Sequence, residues 1–369
     1  MSKTTERATL SIPRDIVSLG DYERVALTRL DHACSEHIAA GVADEHTLAR
    51  NVEDFERIRI QPRLLRNFSN ADTGCTLLGS PLRYPIMLAP VAYQKLVHPD
   101  GELATAAGAA AVDCGMVVST LASESLEDIA QQGPDTRWFQ LYFQPDRSAT
   151  LALLRRAERA GYKALVVTLD APVSGLRNRG QRAGFEMPDD VRAVNLDGLP
   201  KAPQRVLEPT DSVILHGFMA DAPTTADIIW LLSETQLPVI IKGVLNPLDA
   251  LELKALGCAG IVVSNHGGRT LDGLPSSISV LPAVRAAVGE SFPVLLDSGI
   301  RRGTDVLKAL ALGADCVLVG RPQLYALAVA GALGVAHMLR LLQTEFETAM
   351  ALSGCPTLSA ITKDCILAD

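Results

Sequence analysis

From residue 85 onward the chain repeats one rhythm eight times: a short β-branched apolar run, then an Ala/Leu-rich run with helical spacing. The apolar runs span 86–89, 116–119, 138–142, 164–170, 239–242, 260–264, 294–297 and 316–320. Helical patterns lie near 101–113, 124–132, 148–160, 224–236, 247–256, 278–289, 303–312 and 321–331. Neighbouring parallel strands need a crossover, usually a helix, so this alternation predicts a parallel sheet covered by helices. Eight units in succession point to a closed (β/α)8 TIM barrel. An open doubly wound sheet is the alternative, because strand count alone does not prove closure. Aromatics are only 4% of residues and the apolar mass is Ala, Leu and Val, which suits strands buried on both faces.

Around this rhythm the chain reads as one domain of 369 residues. Residues 1–80 form an N-terminal helical segment, with amphipathic helices at 16–41 and 44–55 that cap the bottom or one side of the barrel. Residues 81–369 are the barrel, closed by a last helix at 332–352 that Gly354 and Pro356 end. The segment 172–223 follows the fourth strand, is rich in Pro, Gly, Arg and Asp, and has no clear period. A loop of that length inside a compact domain reads as a lid or a mobile region. It carries no strongly apolar stretch, which argues against a membrane anchor.

The net charge of −8 argues against a nucleic-acid binder. No run approaches the roughly 20 uninterrupted apolar residues of a membrane span, and the polar start 1–7 lacks a secretory apolar core. The seven cysteines show no CxxC pairing and read as buried free thiols in a reducing compartment. A cytoplasmic protein is the expectation.

In such a barrel the chemistry sits where strands end and loops begin. The first strand ends in Ala89-Pro90-Val91-Ala92, the second in Ser119-Thr120, the third in Gln140-Leu141-Tyr142. The fourth ends in Thr168-Leu169-Asp170, with Arg177 soon after, and the fifth in Lys242. The sixth ends in Ser264-Asn265-His266-Gly267-Gly268-Arg269. A histidine can take a proton near neutral pH, and an arginine can clamp a carboxylate through two parallel hydrogen bonds. A base beside an anion anchor suits chemistry on the carbon next to a carboxylate. The bland alternative is a loop whose His caps a helix and whose Arg is solvated.

The seventh strand ends in Asp297-Ser298-Gly299, then Arg301, and the eighth in Gly320-Arg321. Glycine amides, helix N-termini and arginines there predict a phosphate cradle; tight βα turns that simply need glycine are the alternative. No GxxxxGK[ST] or GxGxxG pattern occurs, so triphosphate and Rossmann dinucleotide sites are unsupported. No metal is expected: His32, Cys34, Glu36, His37 and His46 match no common ligand spacing.

Together these motifs resemble the FMN-dependent L-2-hydroxy acid oxidase/dehydrogenase family, which includes glycolate, lactate and mandelate-oxidising enzymes. The resemblance runs from about residue 30 to the C-terminus. It rests on Ser264-Asn265-His266-Gly267-Gly268-Arg269-x-Leu271-Asp272, on 297–314, on Phe139-Gln140-Leu141-Tyr142 and on Ala351-Leu352-Ser353-Gly354-Cys355. The resemblance implies FMN as cofactor and oxidation of a 2-hydroxy acid to the 2-oxo acid. Oxygen, a quinone or another acceptor would reoxidise the flavin, and the chain would assemble as a homo-oligomer, a tetramer or octamer.

By the same resemblance His266 is the base and Asp170 its partner. Arg269 and Arg177 hold the carboxylate, Tyr142 bonds the substrate, and Lys242 stabilises the reduced ring. Pro90, Val91, Ala92, Ser119, Gln140 and Thr168 lie against the ring, and Ser264 lies near the ribityl chain. Asp297, Ser298, Gly299, Arg301, Gly320 and Arg321 hold the ribityl and phosphate, and His266, Gly267 and Arg269 complete the cofactor contacts. His37 stands where relatives commonly have a carboxylate-binding Tyr, and Leu121 where glycolate oxidase has Trp. Ala92 favours an oxidase or dehydrogenase over a monooxygenase. Two other functions fit the residues: a phosphate-binding aldolase or isomerase with Lys242 as a Schiff-base lysine, and a non-catalytic flavin-binding relative.

Overall fold

The computed structural model describes residues 11–200 and 205–367. A hairpin of β1 (Cys75–Leu77) and β2 (Ser80–Leu82) comes first. Eight parallel strands follow: β3 (Ile86–Leu88), β4 (Gly115–Ser119), β5 (Arg137–Leu141), β6 (Leu165–Thr168), β7 (Val239–Val244), β8 (Gly260–Val263), β9 (Val294–Leu296) and β10 (Cys316–Val319). β10 pairs with both β9 and β3, Val317 lying opposite Ile86, so the sheet closes on itself. The fold is a (β/α)8 barrel, not an open sheet.

Successive residues of each strand face opposite sides. Met87, Val117, Trp138, Val166, Ile240 and Val262 belong to the inner core. Ile86, Met116, Phe139, Leu165, Ile241 and Ile261 belong to the outer core beneath the helices. Both sets are buried, hence the unbroken apolar runs. The hairpin closes the floor: Trp138 Nε1 donates to Ser80 Oγ at 3.4 Å and Thr136 Oγ1 to the Pro81 carbonyl at 3.0 Å. Its three-residue strands are too short to show a period in the sequence.

The N-terminal segment departs from expectation in two ways. The helix expected over 16–41 is two helices, Leu19–Arg29 and His32–Ala39. Leu30 is extended, and the Asp31 side chain accepts from Cys34 N, which starts the second helix afresh. The segment also reaches across the C-terminal ends of the strands. There Asp272, in the loop after β8, accepts from the backbone N–H groups of Asp44, His46 and Thr47 at 3.1, 3.2 and 2.8 Å. Despite some burial cost, the amides of Thr47, Gly273 and His46 hold the Asp272 carboxyl down at about 2. The helix His46–Arg57 is thus tied at its positive end, and Lys308 Nζ ties the other end through the Phe55 carbonyl at 2.7 Å.

After β10 the helix Arg321–Ser353 is broken at Ala330 and Gly331, matching the expected boundary. A Cβ on Gly331 would lie 2.9 Å from His98 Nε2. By length and composition this helix could cross a membrane. In this fold Leu327, Val335, Leu339, Leu342 and Phe346 are instead buried in the core.

The described part of the segment after β6 is more apolar outside than its sequence suggests. It contains the helix Asn178–Arg182 and short turns at Val194–Leu196, Val213–Gly217 and Phe218–Asp221. Val213, Ile214, Leu215 and Phe218 are exposed, which corrects the expectation of no apolar stretch. The expected loop at 201–204, and the polar start at 1–10, lie outside the described residues.

Candidate active site

The strand ends enclose a cavity of about 420 Å³ at the C-terminal mouth of the barrel. Pro90, Val91, Ala92, Ser119, Leu121, Gln140, Tyr142, Thr168, Arg177, Lys242, His266, Gly267, Arg269, Asp297, Ser298, Gly299, Arg301, Gly320, Arg321 and His37 all border it. Two expected site residues do not: Asp170 and Ser264 stand behind the wall.

After β8 the backbone turns sharply: His266, Gly267 and Gly268 take φ of 58, 66 and 71° in succession. The left-handed His is strained and swings its ring into the mouth. His266 Nδ1 lies 2.9 Å from Asp170 Oδ1. A carboxylate only accepts, so Nδ1 carries the proton and Nε2 is left for the cavity. Burial would raise the Asp170 carboxyl, but the His266 ring and the Lys242 ammonium outweigh it and hold it below its ordinary value. Asp170 comes this close because Gly243 follows Lys242: a Cβ there would sit 2.4 Å from the Asp170 Cβ. Gly243 takes φ of 106° at a bulge in β7. No motif singled it out, although a Lys-Gly pair closing an apolar run is the signal to look for.

Lys242 is 3% exposed. Its Nζ lies 2.8 Å from Asp297 Oδ2 and 2.7 Å from Ser264 Oγ. Burial alone would lower its pKa; Asp297 and Asp170 reverse that and raise it. A Schiff-base lysine needs a free amine, whereas this one is engaged by Asp297 and Ser264, which counts against the aldolase reading. Ser264 also accepts from His266 N–H at 3.0 Å. It therefore braces the lysine and the turn from behind the cavity wall.

The arginines carry the most information. Arg269 spends Nη1 on the carbonyls of His37, Ile38 and Ala40 at 3.1, 3.1 and 2.7 Å. Arg321 donates to the carbonyls of Ile38, Gly267 and Ala40 at 3.1, 2.9 and 3.0 Å. Burial lowers Arg269 well below its usual value, aided by Arg177 and Arg321, and brings Arg321 down to about 10. Burial lowers Arg177 as well. Among the described residues none of these three guanidinium groups has a carboxylate within ion-pair distance. Buried cations without counter-ions are costly, so the site is electrostatically complete only with anions in it.

The expected phosphate cradle is narrower than its sequence suggests. The start of the helix Gly303–Ala311 is already taken: Asp305 accepts from the amides of Arg301 and Arg302 at 2.9 Å each, and Glu345 from that of Gly303 at 2.9 Å. Gly299, Arg301, Gly320 and Arg321 remain on the cavity wall. Gly299 is obligatory, because a Cβ would meet the Asn51 carbonyl at 1.9 Å.

Three buried polar atoms of the wall have no partner among the described residues: Gln140 Nε2, Thr168 Oγ1 and Arg177 Nε. The Gln140 Oε1 is fixed by Thr120 N–H at 3.1 Å and Ser119 Oγ at 3.2 Å, so its amide nitrogen is the free end. Free donors on the cavity wall suit a ring with carbonyl edges, and the cations suit a phosphate and a carboxylate. Burial raises Tyr142 to about 12, against Lys242, so its hydroxyl stays a donor.

Some lining residues were not foreseen. Tyr93 borders the cavity at φ of 54°, and Met187 reaches it from the long segment. Glu102, fully buried, accepts from Gln94 N and Ser123 N at 3.0 Å each and from Ser123 Oγ at 2.7 Å, joining the loops after β3 and β4. The His37 ring stacks on Phe185 with centroids 3.9 Å apart. Burial, then Arg269 and Arg177, lowers His37 to about 4, so it faces the cavity neutral.

The model of the family described as FMN-dependent dehydrogenase matches residues 26–368. The chain belongs to the FMN-dependent dehydrogenase family. An L-lactate oxidase of Alicycliphilus denitrificans is 51% identical over 96% of this chain and 97% of its own length. Glycolate oxidase 1 of Zea mays is 43% identical over 96% of each chain. A crystal structure of mandelate oxidase with (S)-2-phenylpropionate superposes with a TM-score of 0.86 at 41% identity, covering 96% of this chain and 98% of that one. FMN is the cofactor of this FMN-dependent dehydrogenase, and the orphaned donors and unpaired arginines of the mouth fit it.

Proposed function

We propose that this enzyme oxidises a short L-2-hydroxy acid of the lactate type to its 2-oxo acid, with oxygen as the final acceptor. The observation that carries the reading is His266: its Nδ1 is fixed by Asp170, and its Nε2 faces the same cavity as Arg269 and Arg177. The arginines hold the carboxylate and the Tyr142 hydroxyl orients the substrate oxygen. The bound carboxylate sets the adjacent carbon and its hydroxyl before the imidazole. His266 Nε2 takes the proton, and Asp170 stabilises the imidazolium that forms. FMN supplies the sink for the two electrons that leave that carbon. Lys242, charged and dry on the cavity wall, would offset the negative charge that the bound cofactor gains.

Lactate is favoured by the L-lactate oxidases among the relatives, at 51, 49 and 45% identity. Aromatic 2-hydroxy acids are the second reading. A chamber of about 690 Å³, sharing Leu121, Tyr142 and His266 with the first, opens toward Val213 and Phe218. Anaerobic titration of the holoenzyme with L-lactate, glycolate and mandelate, followed by air, tests both. Bleaching by L-lactate at the lowest concentration and rapid recolouring in air support the proposal. A flavin that only mandelate bleaches supports the second reading, and one that air does not recolour removes oxygen as acceptor.

A cytoplasmic homo-oligomer, a tetramer or octamer, is part of the same proposal. Exposed Ile229, Leu248 and Leu251 on successive outer helices give such an assembly apolar surface to cover. Light scattering of the purified holoenzyme checks the mass.

A further inference from the structure

Far from the mouth, two buried thiols touch. Cys355 Sγ and Cys365 Sγ lie 3.4 Å apart, and the residues are 2% and 5% exposed. Among the described residues no other two cysteine sulfurs are hydrogen-bonded to each other. Cys355 opens the C-terminal tail, directly after Gly354 ends the long helix with φ of 79°. Turns at Leu358–Ala360 and Lys363–Cys365 fold the tail back on itself, so both sulfurs reach the Ala360 carbonyl, at 3.5 and 3.6 Å.

This tail laces down the chain that links the N-terminal helices to the barrel. Gln61 N–H donates to the Cys365 carbonyl at 2.8 Å, Leu367 N–H to that of Arg59 at 2.9 Å, and Asp72 N–H to that of Pro356 at 3.0 Å. Ile60 and Ile366 form an antiparallel bridge. A bond between the two cysteines would close the tail into a short ring at the point where it grips this chain.

We infer that Cys355 and Cys365 are a modification site that hydrogen peroxide converts to an intramolecular disulfide, fastening the C-terminal tail. One thiol sulfur attacks peroxide; the O–O bond breaks, the sulfur becomes a sulfenic acid and one water leaves. The second thiol attacks that sulfur. The S–S bond forms, and hydroxide departs with the second thiol's proton as water. Two thiols and one peroxide thus give one disulfide and two waters, with two electrons passing from sulfur to oxygen. The sulfurs need only close from 3.4 Å to about 2 Å. Burial, and then the neighbouring Cys365, raise the Cys355 thiol, so little thiolate is present and the reaction with peroxide is slow. Reoxidation of the flavin by oxygen, as proposed above, makes peroxide beside the enzyme, but the chemistry of the pair is the same for peroxide from any source.

The test adds hydrogen peroxide directly to holoenzyme, so its outcome does not depend on which acceptor the flavin uses. Trypsin cuts after Lys363, between the two cysteines. Oxidised protein should yield the peptides 341–363 and 364–369 joined, separable by dithiothreitol, and absent from Cys355→Ser. Two of the seven thiols should disappear from a titration of the denatured protein. The oxidised wild type should melt about 3 °C higher than the reduced, a gain that Cys355→Ser lacks. Peptides that stay separate, or Cys355 recovered as sulfinic acid beside a free Cys365, would overturn the inference. A disulfide that forms without raising the Tm would overturn the fastening role.

Discussion

The two ends of this barrel are made by the same eight strands and treat buried charge in opposite ways. At the floor, Arg285 is 3% exposed and fully engaged. It pairs with Asp315 at 2.7 Å and donates to the carbonyls of Gly313, Gly289 and Phe292 at 2.7, 2.8 and 2.7 Å. At the mouth, Arg177, Arg269 and Arg321 crowd one another with carbonyl partners at best, and Gln140 and Thr168 leave donors unused. Around Arg285 the floor is complete as folded. The mouth is complete only when it holds anions and a polar ring, and stability is given up there for binding.

Substitutions that act on one end and spare the other test this contrast. The largest effect is expected from His266→Ala: flavin reduction by hydroxy acid, followed anaerobically by stopped flow, should fall by about 10⁴-fold or more while FMN stays bound. Asp170→Asn should slow the same step by about 10²- to 10⁴-fold, because the amide no longer compensates the imidazolium. Arg269→Lys should raise KM by about 10- to 100-fold through loss of the planar fork, with a smaller change in kcat. An unchanged KM would remove Arg269 from the carboxylate clamp.

Arg285→Ala is the opposite experiment. It should cost about 3 kcal/mol of stability, read from urea unfolding, and leave the KM and kcat of the folded enzyme unchanged. A kinetic defect there would break the division between floor and mouth.

The smallest effect concerns pH. His37 titrates near 4 in the folded protein, below its ordinary 6.5. The unfolded chain therefore binds the proton first as pH falls, so this residue's contribution is full above 6.5 and declines from there toward 4. His37→Phe should flatten the fall in Tm across that window, and an unaltered slope would show that the ring is not held neutral by burial and the two arginines.

Much of the mouth was legible because a polar residue at the end of a buried strand has few bland explanations. Lys242 after three apolar residues, and His266 before two glycines, both announce themselves. The fold was legible for a related reason: strands buried on both faces leave continuous apolar runs. What the sequence could not show depends on distant contact. Ser264 stands at a strand end like its neighbours, yet its hydroxyl turns to Lys242 rather than to the cavity. The break after Leu30 depends on a single capping side chain. Phe185 and Met187 come from a segment without period, and only the folded chain brings one of them onto His37 and the other to the cavity. Asp272 sits in a recognisable motif, but its hold on the helix at 46–57 spans more than two hundred residues.

A crystal structure of the holoenzyme with L-lactate bound, grown without oxygen, tests the central claim most directly. The account predicts the lactate carboxylate on Arg269 and Arg177, its hydroxyl within hydrogen-bond reach of His266 Nε2, and the ring seated under Gln140 and Thr168. A carboxylate held elsewhere, or a His266 ring turned away from the substrate, would contradict it.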